Sequence, residues 1–373
     1  MSRARTFADL ATASEAGNLN TANLVINGDM AVAQRATSST STGYQTVDRF
    51  QMGTSGVDEG PTQAQVDVSS GTTPYTLGFK KALRITNGNQ TGGADAGDII
   101  DVKHGIEAQN IAASGWNFTS SSSFVTLSFW VKSSVAQNFF GLVRTFDGTS
   151  QNFPFSTGSL TADTWTKVTK KIPGNSNLTI DTDNGEGLQI RWHMFIGTDR
   201  TTSLTEDTWV AFNTNQRTPA NTSTWYTTND ATFEITGVQL EVGEVATPFK
   251  HETFEQNLAR CQRYFYALNS NTSTNSVEFI NGTGYSATQA NGGIDLPVRM
   301  RSQPTMTYGN DTGAYRFYRA GSFDAFDTLS DDNHSNMHLQ FAGASGLSHT
   351  AGDAGSIMIR YSDGGFIHAD SEL

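Results

Sequence analysis

The sequence predicts an all-β protein: a β-sandwich, then a short helix and a smaller C-terminal β-domain. Two observations predict this class. Charged residues are only 16% of the chain, below the usual ~25%, and the polar remainder, mostly Ser, Thr, Asn and Gly, suits short strands and tight turns. Several segments also alternate apolar and polar residues at period two. We expect a leader over residues 1–22, the sandwich over 23–249, a connecting helix over 250–268 and a distal domain over 269–373.

The leader predicts a short helix that orders only against a partner surface. Thr6 is a candidate N-cap, and Phe7 and Leu10 share one helical face. Arg3 and Arg5 precede this helix without the apolar run of a secretory signal. A helix this short is unstable alone, so a frayed terminus is the alternative.

The sandwich strands alternate clearly in two places. Within 124–132 the apolar residues at odd positions point one way, and Trp130 points the other. Within 188–196 the apolar face is formed by Leu188, Ile190, Trp192, Met194 and Ile196. Strands with one buried face and one mixed face indicate two sheets packed face to face.

The last sandwich strand changes phase. Phe233 and Ile235 occupy one parity, whereas Val238, Leu240 and Val242 occupy the other. One extra residue near Thr236-Gly237 restores a common face, so we predict a β-bulge there.

The connecting helix begins with a capping box, because Thr253 and Gln256 have the required spacing. The predicted seam of this helix consists of Phe254, Leu258, Cys261 and Phe265. Spacings of four, three and four residues fit a coiled-coil-like contact along the axis of an oligomer. Packing of the seam on its own domain is the alternative.

The distal region predicts several short strands with polar connections. They are expected at 276–280, 293–298, 305–308, 314–319, 356–361 and 365–369. No internal repeat is evident, which argues against a solenoid.

Two pairs of segments, about 210 residues apart, carry motifs. Leu24–Met30 and Val47–Phe50 lie near the start, and Gly237–Gly243 and Ala246–Phe249 lie far downstream. This pairing resembles bacteriophage tail-fibre and other virion receptor-binding proteins, which carry a jelly-roll domain similar to carbohydrate-binding modules. The likeness covers roughly residues 24–266. Shorter likenesses are Leu296–Thr305, similar to a segment of tail-fibre distal domains, and the ending 369–373.

The resemblance implies a structural virion protein, a tail-fibre subunit that binds host surface polysaccharide or an outer-membrane receptor. It implies attachment to other virion proteins through the leader, where Arg3, Arg5, Phe7 and Leu10 are the candidates, and assembly as a homotrimer. A capsid head fibre or decoration protein is an alternative, because it also needs an anchoring leader and a display domain.

Charge and cysteine content exclude several functions. The net charge of −12 opposes binding to nucleic acid and docking on an anionic membrane. Neutral glycans remain compatible with it. A single cysteine, Cys261, permits neither an internal disulfide nor a cysteine-based zinc site. No stretch approaches the ~20 apolar residues of a membrane span. We therefore expect synthesis in a cytoplasm and release by a route such as cell lysis, and the resemblance implies a location in the virion.

No enzyme motif is complete, so we predict no catalytic residues and no cofactor. A polysaccharide depolymerase stays an alternative because its paired carboxylates need not be close in sequence. Its candidate acids form two clusters, Asp324, Asp327, Asp331 and Asp332 in one and Asp181, Asp183 and Glu186 in the other.

Structural calcium is a candidate at three aspartates. Asp181 and Asp183 place oxygen ligands in one turn, although the glycine spacing departs from an EF-type loop. Asp29 matches the acidic position of the first-strand motif in jelly rolls similar to carbohydrate-binding modules, but Thr236 and Gly237 stand where the partner acids would be.

Sugar recognition points to aromatic residues, because a flat ring covers the apolar face of a pyranose. Trp130 is the candidate in the large domain, since it lies on the mixed face of its strand. The distal candidates are Tyr315, Phe317, Tyr318, Phe323 and His334. Filling a small core is the alternative role for these distal side chains.

Overall fold

The computed structural model describes residues 23–268, 277–331, 333–344, 346–361 and 364–373. Strands hold 43% of the residues and helices 7%, so the all-β prediction is confirmed. The chain forms two compact units. The first contains Thr37–Glu252, the segment ending at Ala31, and Leu373; the second contains Val32–Ala36 and Thr253–Glu372.

The first unit contains two six-stranded antiparallel sheets in the described residues. Sheet 1 has the order β1 (Ser38–Ser39), β3 (Thr62–Asp67), β4 (Lys81–Thr86), β12 (Thr232–Val242), β6 (Phe124–Ser133) and β9 (Thr166–Pro173). Sheet 2 has the order β11 (Val210–Ala211), β8 (Gln151–Ser159), β7 (Asn138–Thr145), β10 (Glu186–Ile196), β5 (Ile99–Glu107) and β2 (Gln51–Ser55). The inner orders β4-β12-β6-β9 and β5-β10-β7-β8 are those of an eight-stranded jelly roll.

The core of this unit lies between the two sheets. The Phe129 ring of β6 meets the Trp192 ring of β10 at 5.7 Å and the Phe155 ring of β8 at 6.2 Å. All the predicted inward residues of β6 and β10 are buried. Alternation therefore predicted the core-facing side of β6, and that of β10 as far as Met194. The register of β10 shifts between His193 and Phe195, so Phe195, which the alternation placed on the other side, joins the core instead of Ile196.

The two motif segments of the sequence are hydrogen-bonded neighbours. The Leu24 amide donates to the Leu240 carbonyl at 2.9 Å, and the Val238 amide donates to the Gly28 carbonyl at 2.8 Å. The buried Asn23 side chain joins the same two segments, accepting from the Leu240 amide and donating to the Val238 carbonyl. The start of the domain is thus held along its last strand.

The predicted bulge in β12 is present. The register shifts between Thr236 and Gln239, and Gly237 has a φ of +62°. A side chain at Gly237 would approach the rings of Phe79 and Trp130, so glycine suits both the conformation and the space.

Helices are short in the described residues. The first unit contains α1 (Thr73–Thr76), α2 (Ala108–Ala112) and a 3₁₀ turn (Thr198–Arg200). The second unit contains α3 (Phe254–Gln262), whose Thr253–Gln256 capping box is formed as predicted. No described helix is long and apolar enough to cross a membrane.

The second unit adds two sheets in the described residues. The three-stranded sheet has the order β13 (Phe265–Leu268), β22 (Ile367–Asp370) and β16 (Thr305–Tyr308). The seven-stranded sheet has the order β18 (Ser322–Phe326), β17 (Tyr315–Arg319), β21 (Ala354–Arg360), β14 (Val277–Ser286), β15 (Gln289–Asp295), β20 (His338–Ala344) and β19 (Thr328–Asp331). Its core includes Ile280, Phe341 and Ile357.

The predicted helix seam is wrong at Phe265. The helix ends at Gln262, and Phe265 opens β13 opposite Asp370. The chain turns because the Tyr264 amide bonds to the Cys261 carbonyl and the Tyr264 carbonyl accepts the Ser371 amide. Cys261 and Phe265 are buried, whereas Phe254 is 54% exposed, and Leu258 is half-buried.

Candidate functional site

The six tryptophans divide into buried and surface positions. Four are almost fully buried, namely Trp116, Trp192, Trp209 and Trp225. Trp130 and Trp165 are half-buried. The core assignment of Trp192 is confirmed, and Trp130 lies on the outer side of sheet 1, as its parity predicted.

Trp130 belongs to an apolar patch on the outer side of sheet 1. The patch contains Val66, Val68, Tyr75, Phe79, Ala82, Trp130, Trp165 and Phe249. The Phe79 and Phe249 rings meet edge to face at 4.9 Å. Trp130 therefore shares its surroundings with packed side chains from three segments of the chain, and its ring has a packing role.

The distal aromatic candidates separate in the same way. Tyr315 and Phe317 are fully buried in the core of the second unit, and the Tyr315 hydroxyl donates to the Phe366 carbonyl at 2.9 Å. These two side chains do not reach the surface. Tyr318 is half-buried and Phe323 is 42% exposed; their rings lie 5.2 Å apart.

His334 is held in a loop. Its Nε2 lies 2.9 Å from the Pro304 carbonyl, and the ring is half-buried. Tyr318 and Phe323 are thus the distal candidates that present a ring at the surface together.

Tyr318 marks one end of a polar surface on the outer side of the seven-stranded sheet. We name this surface the polar face; its members are Asn281, Thr283, Asn291, Tyr318, Gln340 and Ser356. Tyr318 lies opposite Ser356, and Ser356 lies opposite Asn281. Thr283 lies opposite Asn291 on the next strand. The face crosses β17, β21, β14, β15 and β20, a path of about 20 Å at the usual strand spacing.

Alternation along β14 places the polar face outside. Residues 281, 283 and 285 are exposed, whereas 280, 282 and 284 are buried. Glycine is needed on the inner side, because a side chain at Gly282 or Gly292 would press on Ile357 of the core. The result is a sheet whose outer surface carries amides and hydroxyls above a tightly packed floor.

A groove of about 360 Å³ runs over the middle of this face. It is lined by Asn281, Gly282, Thr283, Asn291, Gly292, Gly293, His338 and Gln340. The side-chain amide of Asn281 and the side-chain hydroxyl of Thr283 make no hydrogen bond within the described part of the chain. His338 marks the far end, where its Nδ1 lies 2.8 Å from Asp295. The groove offers neutral donors and acceptors to a ligand rich in hydroxyls.

A second cleft, of about 430 Å³, lies beside Arg319. The Arg319 guanidinium pairs with Asp324 at 2.8 Å and with Asp353 at 3.3 Å. Asp324 also accepts the Ser348 amide. These contacts tie neighbouring loops together.

The other candidate acids have separate partners. Asp327 accepts the Gly313 amide at 2.7 Å, and Asp331 accepts the Tyr308 hydroxyl at 2.6 Å. Burial, and then this bond to Asp331, raise the pKa of Tyr308. Asp332 lies outside the described residues.

The calcium candidates lie in turns. The Asp181 amide donates to Asp147 at 2.9 Å, and Asp183 accepts the Gly185 amide. Burial raises the pKa of Asp147, and the charges of Asp181 and Asp183 raise it further. Among the described residues, no group of three or more His, Cys, Asp or Glu side chains, Asp29 included, is placed to hold a metal ion. The leader candidates Arg3, Arg5, Phe7 and Leu10 lie outside the described residues.

Sequence reasoning missed most of the polar face. Asn281, Thr283, Asn291 and Gln340 are common turn and loop residues, and only the pairing of their strands brings them together. The available signal was the alternation Ile280-Asn281-Gly282-Thr283, in which the polar residues share one parity.

No family model matches this sequence, and no curated protein matches it. Among solved structures, the chain is similar to the enzymatically active domain of tailspike protein 4 from bacteriophage CBA120. The alignment has a TM-score of 0.31 and 12% identity, and covers 59% of this chain and 21% of that one. The chain thus spans about a fifth of the tailspike domain.

Two other similar structures are bacterial. A putative sugar binding protein from Bacteroides thetaiotaomicron aligns with a TM-score of 0.30 and 11% identity, over 60% of this chain and all of that one. The N-terminal cellulose-binding domain of Cellulomonas fimi β-1,4-glucanase C aligns with a TM-score of 0.27 and 12% identity, over 58% of this chain and 99% of that one. Alignments at these TM-scores carry no argument about function.

Proposed function

We propose that this chain is a virion host-recognition subunit, of the tail-fibre kind, that binds a host surface glycan through its polar face. The observation that carries the glycan part is the row of uncharged donors and acceptors on the polar face, of which Asn281 and Thr283 are exposed and the others half-buried. It lies beside the aromatic pair Tyr318–Phe323, where the Arg316 guanidinium covers one side of the Phe323 ring at 4.2 Å. The virion part, the attachment of the leader to other virion proteins and the trimeric state come from the motif resemblance. A mass measurement that gives a monomer would contradict the trimer.

The chemistry of the polar face fits a neutral, hydroxyl-rich ligand. Asn and Gln amides each offer donors and an acceptor, so they match the mixed donor and acceptor character of sugar hydroxyls. Aromatic rings cover the apolar faces of sugars. The His338 ring lies over Gly293 and bounds the groove at that end, so an extended chain of sugars can lie across Asn281, Thr283 and Asn291 up to this ring.

Binding is tested on the full-length protein with a microarray of bacterial surface polysaccharides. The test variants are Asn281→Ala, which removes an amide, and Thr283→Lys, which places a long side chain in the groove. Both positions are exposed, so we expect folding to be kept. We expect the variant that carries both substitutions to bind at least about tenfold more weakly, which corresponds to a loss of about 1.4 kcal/mol or more in the free energy of binding.

The matched control is Asn310→Ala, because Asn310 is an exposed asparagine outside the polar face. It should bind as the unmodified protein does. Equal binding by the double variant would remove the polar face as the site. Absence of binding by the unmodified protein to any glycan, including those of its host, would contradict the proposed glycan recognition.

The capsid and depolymerase alternatives make different predictions. A capsid protein would be incorporated into heads rather than tails, and deletion of residues 1–22 would abolish that incorporation. A depolymerase would thin host polysaccharide as isolated protein, and replacing Asp324 or Asp331 would stop it.

A further inference from the structure

Four cationic side chains gather on the outer side of sheet 2 in the first unit. We name this surface the cationic face; its members are Lys103, Arg144, Arg191 and Arg217. Lys103 on β5 lies directly opposite Arg191 on β10. Arg191 lies opposite Leu142 on β7, so Arg144, two residues further on, is its diagonal neighbour. The gathering is unexpected in a chain whose net charge is −12.

Arg217 reaches the same surface from a covering loop. Its amide donates to the Arg200 carbonyl at 2.8 Å, and its carbonyl accepts the Asn152 side chain of β8 at 2.8 Å. The loop backbone is therefore fixed over β8, and this holds Arg217 beside the strands.

Like charges at these positions oppose folding. Charges of one sign on directly opposed residues of neighbouring strands are destabilising. Burial lowers the pKa of Lys103, Asp101 and Glu186 raise it, and Arg191 and Arg217 lower it. Burial also lowers the pKa of Arg217 to about 10, with Arg191 and Arg200 adding to the effect. The carboxylates Asp101 and Glu186 act on the same cations and offset part of the repulsion, so four cations face two carboxylates on this surface.

Arg191 is the internally bound member of the set. Its guanidinium donates twice to the Gln189 side-chain oxygen, at 2.7 and 3.2 Å, and once to Asp101 at 3.2 Å. The Arg191 side chain is 14% exposed and that of Asp101 is 5% exposed. This network fixes the floor of the cationic face.

The other three cations keep unused donors. Among the described residues, neither Lys103 Nζ, nor the Nη nitrogens of Arg144, nor those of Arg217 have a hydrogen-bond acceptor. The Arg144 guanidinium lies over the rings of Phe212 and Phe146, at 3.6 and 4.4 Å, and its Nε donates to Ser150. Stacking holds this planar fork in one orientation.

Orphaned polar atoms lie at the floor of the same surface. Both ring nitrogens of the fully buried His193 and one carboxylate oxygen of Asp101 have no hydrogen-bond partner among the described residues. Burial lowers the pKa of His193 well below its usual value, and Arg191 adds to the effect, so the ring is neutral. Buried polar atoms without partners indicate bound water or a ligand.

We propose that the cationic face binds an anionic glycan, with a sugar carboxylate held by Lys103, Arg144 and Arg217. Planar guanidinium forks match a planar carboxylate with two parallel hydrogen bonds. The anion would neutralise the excess of positive charge that remains after Asp101 and Glu186 are counted. That the anion belongs to a glycan rests on the proposed function; the anion site itself rests on the geometry of the face.

Binding is tested by calorimetry on the full chain, with an oligogalacturonate as the acidic probe and a neutral oligosaccharide of equal length beside it. The test variant is Lys103→Gln with Arg144→Gln. The control, Lys80→Gln with Lys167→Gln, changes the net charge equally at exposed positions. We expect the test variant to lose about 30-fold or more in affinity for the acidic probe, because charge-assisted hydrogen bonds are the strong ones. The control should bind unchanged.

A second measurement separates a binding role from a structural one. Lys103→Gln removes the repulsion from Arg191 and also the attraction of Asp101 and Glu186, so its thermal midpoint should stay within about 4 °C of that of the unmodified protein while its affinity for the acidic probe falls. A larger fall in the midpoint would indicate that Lys103 stabilises the fold, which would overturn the proposal.

The two glycan proposals fail separately. The cationic face is not an anion site if the unmodified protein does not bind the acidic probe. The same follows if the variant with Lys103→Gln and Arg144→Gln binds the probe with the affinity of the unmodified protein. The polar face is unaffected by that outcome. If acidic binding is lost in this variant but survives Asn281→Ala with Thr283→Lys, the two surfaces bind independently.

Discussion

Replacing Gly28 by alanine tests whether the two motif segments hold the sandwich together. A β-carbon at Gly28 would overlap the Val238 carbonyl oxygen and come within 3.2 Å of the Asn23 side chain. The obstacle is backbone of the last core strand, so it cannot rotate away. The segments must separate, and the Gly28–Val238 and Asn23–Val238 hydrogen bonds, at 2.8 and 3.0 Å, are lost.

The expected loss in the free energy of unfolding is about 4 kcal/mol. Each hydrogen bond contributes about 1 kcal/mol, and overpacking of a tight site costs about 2 kcal/mol. All six tryptophans lie in the first unit, so tryptophan fluorescence during urea unfolding reports that unit alone. With a slope of about 3 kcal/mol per molar urea, the midpoint should fall by more than about 1 M.

Gly60→Ala is the control for this experiment. A β-carbon there would have only the Thr40 carbonyl oxygen nearby, at 3.6 Å, so the change should lie within about 1 kcal/mol. A Gly28→Ala protein that unfolds within 1 kcal/mol of the unmodified chain would refute the claim that this contact closes the domain. An equal loss in both variants would refute the claim that space decides the outcome.

Three further predictions concern the second unit. Burial, and then the charge of Arg35, lower the pKa of His368 to about 4 although Asp370 opposes them; the unfolded ring titrates near 6.5. Below pH ~6.5 the His368 ring binds a proton in the unfolded state but not in the folded state. The free energy of unfolding should therefore decrease as the pH is lowered from ~6.5 to about 4. The slope should shrink in His368→Gln, and proton NMR of the ring gives the titration directly; a ring that titrates near 6.5 in the folded protein would contradict this. The buried thiol of Cys261 should not react with a thiol reagent until the protein unfolds. The reaction is followed by the absorbance of the thiolate that the reagent releases, and rapid labelling of the folded protein would mean that the thiol is exposed. Thr253→Ala should cost about 1 kcal/mol through loss of the cap, seen as faster amide hydrogen exchange in the first turn of α3, and unchanged exchange would count against the cap.

Local pattern predicted local structure well. The alternation in β6 and β10, the extra residue near Gly237 and the Thr253–Gln256 cap all depend on neighbouring residues, and each is present. The error at Phe265 has a different cause. That residue fits the period of the helix, but pairing with Asp370, more than 100 residues away, draws it into a strand.

The candidate sites depended on distant pairing and were predicted less well. Tyr315 and Phe317 lie on one side of β17, and Arg316 and Tyr318 lie on the other. The alternation could therefore have assigned Tyr315 and Phe317 to the core. The cationic face had no local signal, because Lys103, Arg144, Arg191 and Arg217 span more than 100 residues. Only the register of β5, β10 and β7 and the course of the covering loop bring them together.

The division of the chain decides how recognition should be mapped. Val32–Ala36 belongs to the second unit although the chain on both sides belongs to the first. Within the second unit, the Gln34 side chain donates to the Phe265 carbonyl at 2.8 Å, and Arg35 pairs with Asp370 at 2.7 Å. A truncation after the first unit would remove these partners of the segment, Phe265 and Asp370, so lost binding could not be assigned to a surface. Point variants in the full chain avoid this difficulty, because Thr283→Lys and Lys103→Gln each change one unit and leave Val32–Ala36 and its partners intact. Binding that falls in only one of them assigns recognition to that unit.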